Sequence, residues 1–482
     1  MSASDELALL DATAQAALVQ RGELKPTELV EAAVSRAERV DPELGSIIHP
    51  AFERALAQAA KPGVADLPFA GVPFALKDIG GAEAGMPQHG GMRFLKEAGW
   101  IESENAYLTD RFRDAGLVSI GRTNTPELAL LPTTEPEAYG PTRNPWNPAH
   151  SAGGSSGGAA AAVAAGIVPV AHASDGGGSI RGPASMCGLV GLKPTRGRCS
   201  FGPSLGERWS GFSCEFIVSR SVRDSARLLD LVAGAMPGDP YSAAPPPAPF
   251  ASAVDSPLPA LRIGILSAGV RDVPLDPACS VAVTEAARAL EARGHLVEAS
   301  HPEPLNGTVH VGAYVGIVSA NVARALASWG AKVGRPVEAT DVEPLTWALA
   351  ERGRSLTAPE HLANLEVVHR FGRDLAAWWE SGFDLLVTPT QAEPPPELGF
   401  ISSTADEPVR AFIRAAPYGM FTLPFNLSGQ PGVSVPGTPH ESGLPIGVQL
   451  VARAGREDLL LAVAAQLEQD QPWADRHPPL HA

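Results

Sequence analysis

The chain has 482 residues, 44% of them hydrophobic and 19% charged, which suits an extended globular core and argues against a disordered or low-complexity protein. A formal net charge of −16 without a compensating Lys/Arg run repels phosphates and anionic lipid, and so argues against nucleic acid or a membrane surface as partner. The 4 cysteines and 12 histidines form no Cys-x-x-Cys pair and no zinc-type spacing, so neither a metal centre nor a redox pair is expected.

The opening residues, Met1 to Glu6, lack a basic segment followed by an apolar one, so no signal peptide is read there. Residues 1–60 read as helices: Ser4 and Thr27 sit where N-caps belong, and Leu29, Val30, Ala33, Val34, Ala37 and Val40 recur at helical spacing. From residue 71, Val72, Phe74 and Leu76 alternate with Pro73, Ala75 and Lys77, a strand pattern that turns Lys77 away from the apolar set. Residues 117–121 form a second short strand, and 122–127 a polar loop. The longest small-apolar stretch, 159–173, is broken by Gly166 and Pro169 and is too short to span a bilayer, so a cytoplasmic protein is expected. Residues 237–260, with Pro245-Pro246-Pro247, read as a surface connection. Beyond it, Leu261, Ile263 and Ile265 alternate as a strand, 282–294 reads as a helix ended by glycine, and 311–379 is mainly helical. The run 384–388 suits a buried strand, and Ile446, Val448 and Leu450 alternate near the end.

Two glycine-flanked serine segments stand out: Gly153-Gly154-Ser155-Ser156-Gly157-Gly158, and Ser174-Asp175-Gly176-Gly177-Gly178-Ser179-Ile180-Arg181. They do not read as flexible linkers, because Ala159-Ala160-Ala161-Ala162-Val163 and Cys187-Gly188-Leu189-Val190-Gly191-Leu192 follow them and look buried. Glycines without Cβ atoms let the backbone aim successive N–H groups at one point, which makes a cradle for negative charge. Neither segment has the ending of a P-loop or the spacing of a dinucleotide fold, so an oxyanion hole fits better.

Serine needs a base to become a nucleophile. Gly153-Gly154-Ser155-Ser156-Gly157 matches the G-x-S-x-G elbow, and His295, His369 or His440 could complete a Ser-His-Asp esterase of the α/β-hydrolase type. That reading leaves the second serine segment without a use. It also needs a strand before Ser155, where Asn144-Pro145-Trp146-Asn147-Pro148 stands. A lysine base explains more.

Taken together, Gly71-Val72-Pro73-Phe74-Ala75-Leu76-Lys77-Asp78, Asn124-Thr125-Pro126-Glu127, Asn144-Pro145-Trp146, both serine segments, and Gly191-Leu192-Lys193-Pro194-Thr195-Arg196-Gly197-Arg198 resemble the amidase signature family over most of the chain. The resemblance implies a catalytic triad of Lys77, Ser155 and Ser179, a cis peptide bond before Ser155, and an oxyanion hole of backbone N–H groups at Gly176, Gly177, Gly178 and Ser179. Ser156, Ser174, Asp175 and Arg181 read either as residues that hold the loops by hydrogen bonds or as ordinary polar groups of the loops. Gly176 replaces a threonine common at that family position. As a base near neutrality, Lys77 must be buried and its pKa lowered by roughly two or three units. No cofactor and no metal are implied.

The implied fold is α/β: one α/β/α unit with a large mixed sheet covered by helices on both faces. A single domain would comprise a helical clasp (1–60), a triad-bearing core (61–236), the connection (237–260), and a second sheet half with a helical substrate side (261–482). The runs Thr133-Thr134-Glu135-Pro136-Glu137-Ala138-Tyr139-Gly140 and Phe425-Asn426-Leu427-Ser428-Gly429-Gln430-Pro431 resemble the family's nylon-oligomer branch. The implied activity is C–N hydrolysis of a small cyclic amide, aryl amide or carbamate, with ester cleavage on the side, by a monomer or homodimer. Residues 80–97 and 202–216 are unusual loops, and Trp146 and Trp209 read as packing residues. The alternative within the family is the A-type subunit of a glutamine-dependent amidotransferase, whose glutamine-binding segment is not recognised between residues 311 and 373.

Overall fold

Short apolar runs scattered along the chain assemble into one sheet. In the computed structural model, which describes residues 3–482, the strands in chain order are β1 (Ile47–Pro50), β2 (Pro73–Lys77), β3 (Val118–Thr123), β4 (Arg143–Asn144), β5 (Asn147–Ser151), β6 (Val170–Asp175), β7 (Val190–Lys193), β8 (Cys214–Ser219), β9 (Arg262–Ile265), β10 (Leu296–Ala299), β11 (Leu385–Pro389), β12 (Gly432–Pro436) and β13 (Gly447–Ala452). Strands β4 and β5 make a hairpin of their own. The other eleven form a sheet in the order β1-β3-β2-β6-β8-β7-β12-β13-β11-β9-β10. It is mixed: β3, β2 and β6 run parallel, as do β11, β9 and β10, while the pairings between these groups are antiparallel.

Helices cover both faces, and the pleat sorts the contacts. Leu385, Val387, Leu450 and Ala452 enter one core with the helices Pro277–Ala292 and Glu457–Asp470, whereas Leu386 and Val451 enter another with Phe371, Leu375 and Trp379 of the helix Ala358–Glu380. With both faces buried, every residue of β2 is buried, so the alternation read around Lys77 separates two interior faces and no solvent face.

The parallel neighbours β2 and β6 end on the same edge of the sheet, Phe74 opposite Val170 and Ala75 opposite Ala171. That register brings Lys77, the last residue of β2, beside Ser174 and Asp175 at the end of β6. The helix Gly157–Ala164, made of glycine, alanine and one valine, is buried throughout and packs on β2, β3 and β6, with Ser155 and Ser156 at its N-terminal entrance. The two halves of the sheet join where β7 pairs β12, Leu192 opposite Val433. Residues 237–260 run mostly exposed, pinned by buried Phe250.

Several boundaries differ from the sequence expectation. The third helix of the clasp, Pro26–Leu44, is capped by Lys25, with Pro26 as its first residue and Glu28 accepting from the Lys25 N–H at 2.7 Å, so Thr27 lies one residue further in. Ser4 lies within the helix Ala3–Leu9. Arg122 and Thr123, expected in a loop, extend β3, and the buried Arg122 donates to the Lys77 carbonyl at 2.7 Å and the Gly81 carbonyl at 3.0 Å. The helix expected over 282–294 starts at Pro277, because the Asp276 carboxylate accepts from the Ala278 N–H at 2.8 Å. The helix Val309–Val333 is long and apolar enough, by length and composition, to cross a membrane, which exceeds the stretch singled out at 159–173. It packs against the helices Pro344–Ser355 and Ala358–Glu380.

Candidate active site

The fully buried Lys77 ammonium position is surrounded by hydroxyls. Its Nζ lies 2.7 Å from Ser155 Oγ, 2.8 Å from Ser156 Oγ and 3.0 Å from Ser174 Oγ. Ser156 is tied to β6, its Oγ donating to the Ser174 carbonyl and accepting from the Ser174 N–H, both at 3.3 Å. Burial pushes the Lys77 pKa down to about 7, against the opposing pull of Glu215 and Asp175. Behind it, His172 Nδ1 accepts from the Lys77 N–H at 3.3 Å and its Nε2 faces Glu215 Oε2 at 3.5 Å. The peptide bond between Gly154 and Ser155 is cis. A Cβ on Gly154 would lie 2.4 Å from Thr133 N, so only glycine fits this crossing of chains.

The second serine loop is held by one buried ion pair. Asp175 accepts from Arg181 Nε and Nη2, each at 2.9 Å, and from the Gly178 N–H at 2.7 Å. Arg181 in turn reaches Gln449 Oε1 at 2.7 Å, Asn426 Oδ1 at 2.6 Å and the Thr422 carbonyl at 3.0 Å, all on the far side of the β7–β12 join. Burial works against the Asp175 carboxylate, yet Arg181 foremost, with Lys193 and the Asn426 amide, holds it below the usual carboxylate range. Thr422 Oγ1 donates to the Gly177 carbonyl at 2.7 Å and would stand 2.3 Å from a Cβ on Gly178, whose φ of +134° also favours glycine.

A cavity of about 310 Å³ opens in front of Gly177, Gly178 and Ser179. Among the described residues no hydrogen-bond partner takes up the N–H of Gly176, Gly177 or Ser179. Gly178 differs from the expected row of four donors, because Asp175 already accepts its N–H. Ser179 lines the cavity, while no hydrogen bond joins its hydroxyl to Ser155 in this structure. The remaining wall is mostly apolar, from Leu130, Leu131, Val311, Phe412 and Leu423, with Tyr314 beside Gly177 and Arg271 as its one charged residue. Trp209, read as a packing residue, also lines the cavity and lies over Gly176; its other neighbour is a second cavity of about 640 Å³ that includes Asp78, Glu102, Arg208 and Arg324. Trp146 packs as expected, its indole donating to the Cys187 carbonyl at 2.9 Å.

The esterase alternative loses its base. His295 Nδ1 accepts from the Leu261 N–H at 3.1 Å, His440 Nδ1 faces Ser442 Oγ at 2.8 Å, and His369 is exposed on the helix Ala358–Glu380, so none of the three partners Ser155. Thr422, Asn426 and Gln449, which brace the loop, were outside the sequence reading of the site. No local pattern ties them to the serine loop, since each lies more than two hundred residues from it.

A family model described as Amidase matches residues 28–461. The 6-aminohexanoate-cyclic-dimer hydrolase of Paenarthrobacter ureafaciens is 44% identical over 478 residues, covering 98% of this chain and 96% of that one. A solved structure of 6-aminohexanoate cyclic dimer hydrolase complexed with substrate superposes with a TM-score of 0.95 at 43% identity, covering 98% of this chain and 100% of that one. A bacterial aryl acylamidase of the amidase signature family follows at a TM-score of 0.87 and 27% identity, with 96% and 97% covered. A buried lysine ringed by serines, one of them next to Gly154 in the wall of the cavity that Ser179 also lines, thus stands in a chain that belongs to the amidase signature family, the hydrolases of amide C–N bonds.

Proposed function

We propose that the protein hydrolyses a small, largely apolar amide through an acyl-enzyme on Ser179, with Lys77 as base and Ser155 as proton relay. The observation that carries this reading is the buried Lys77 amine 2.7 Å from Ser155, whose neighbour Gly154 lines the same cavity as Ser179. A neutral amine has two hydrogens and one lone pair. Ser156 donates to the Ser174 carbonyl, so it accepts from Lys77; Ser174 accepts the second hydrogen; the lone pair is left for the Ser155 hydroxyl. Ser155 can then take the Ser179 proton as it gives up its own. Rotation of the Ser179 hydroxyl towards Ser155 completes the relay when substrate enters, as catalytic hydrogen bonds often tighten only in the complex.

Attack of Ser179 Oγ on the carbonyl carbon forms a tetrahedral oxyanion beside the N–H groups of Gly176, Gly177 and Ser179; one such donor is worth about 3 kcal/mol. Gly178 serves instead to fix the loop through Asp175. Collapse breaks the C–N bond, the proton returns through Ser155 to the leaving nitrogen, and water releases the acyl group by the same route. The cavity volume and apolar wall favour cyclic amides, anilides and carbamates, and the relatives named above support the first two. The protein acts alone on a small molecule.

The test is a panel of cyclic amide, anilide, carbamate and ester substrates with purified protein. Turnover of amides without a partner is the expected result. Ammonia release from glutamine with no amide turnover would point instead to an amidotransferase subunit.

Acid should silence the enzyme. Below a pKa of about 7 Lys77 is an ammonium, donates to all three hydroxyls and has no lone pair, so kcat/KM rises with pH through about 7 and levels off above it. A flat profile from about pH 5 to 9, with acylation shown by burst kinetics to limit the rate, contradicts Lys77 as the base.

A further inference from the structure

The cavity in front of Ser179 has one formally charged residue in its lining, Arg271, and no acidic one. Arg271 Nη2 donates to the Met420 carbonyl at 2.9 Å, while Nε is buried with no acceptor. Among the described residues no carboxylate pairs with it, and burial alone accounts for the lowering of its pKa. A guanidinium drawn into an apolar wall without a counter-ion is costly unless something else supplies the acceptor. The backbone holds it there in an unusual way: Arg271 and Asp272 both have a φ of +58°, the left-handed region that non-glycine residues rarely occupy. Two other residues of the cavity wall share the habit, Ala129 at +59° and Trp209 at +53°. Backbone outliers of this kind gather at ligand sites.

We propose that Arg271 selects the substrate by binding a carboxylate at the end remote from the scissile amide, so that the preferred substrates are amides bearing an anionic end group. The planar guanidinium offers Nε–H and its unengaged Nη hydrogens to a carboxylate, a match that no other residue of this wall supplies. The assignment rests on the reading of Ser179 as nucleophile, since one molecule filling the cavity touches both residues. Arg271 touches no reacting atom, so its contribution appears in KM and leaves kcat unchanged.

The test uses anilides of equal length ending in a carboxylate, a neutral carboxamide or an ammonium, in two sets, with the end group on the acyl chain in one and on the amine in the other. In one set kcat/KM should fall in that order, with the carboxylate favoured over the neutral end by about ten- to hundredfold. Arg271→Gln should flatten the ranking through KM, with a far larger loss for the carboxylate substrate than for the neutral one, and Arg271→Lys should keep part of the preference. Equal rates for all end groups in both sets, or a uniform loss across them in Arg271→Gln, overturns the proposal while amide hydrolysis itself stands. Absence of Ser179-dependent turnover on every substrate overturns the acyl-enzyme reading along with it.

Discussion

Ser179→Ala is expected to lower kcat on any amide substrate by about 10,000-fold or more, the scale seen when the nucleophile of an acyl-transfer enzyme is removed. The remaining rate would come from binding and from the main-chain donors of Gly176 and Gly177, which the substitution leaves in place. Lys77→Met and Ser155→Ala should each approach the same low rate. Combining them should cost little more, because the relay fails as a unit. Mass spectrometry of the quenched protein adds an independent readout: a slow carbamate or ester substrate should leave its acyl group on wild type and none on Ser179→Ala. Wild-type kcat in Ser179→Ala would remove the proposed mechanism.

Arg181→Met should be the most damaging substitution for stability. It leaves the Asp175 carboxylate buried without its main partner, a loss of about 3–5 kcal/mol when one member of a buried ion pair is removed. The same side chain also ties the serine loop to Asn426 and Gln449. Denaturant unfolding of Arg181→Met should therefore show a large fall in midpoint, with activity falling too. Asp175→Asn/Arg181→Met should recover part of the stability, since no unpaired charge then stays inside, yet little activity, since Gly178 and Ile180 lose their carboxylate acceptor. A midpoint within experimental error of wild type for Arg181→Met would show that the pair does not hold the loop.

Much of the site was legible because its chemistry sits in short, local patterns. A lysine ending an apolar strand and two serines among glycines are readable without knowing what packs where, and the amine gathers Ser155, Ser156 and Ser174. The cavity wall was not legible. Arg271, Tyr314, Phe412 and Leu423 come from separate stretches, and each looks locally like an ordinary core or loop residue. The strands show the same contrast. β2 was visible through alternation, whereas β8, Cys214–Ser219, is buried at every position and carries Glu215 in its interior, so neither periodicity nor polarity marks it. β12, which begins with glycine and ends with proline, has too little local preference to announce itself. The cap at Lys25 was missed because the bond there comes from Glu28, inside the helix, whose carboxylate accepts from the Lys25 N–H.

The seam between β7 and β12 has a consequence for how the enzyme can be divided. Ser179 and Lys77 precede the exposed Pro-rich stretch, while Thr422, Asn426 and Gln449, which brace the Ser179 loop, follow it. A single nick within residues 237–260 therefore separates nothing that the strands do not already clamp, and the cleaved protein should keep working as a two-chain assembly. Neither piece alone would contain a finished catalytic centre, which makes this protein a natural candidate for splitting into complementing fragments whose reunion is read out as hydrolysis.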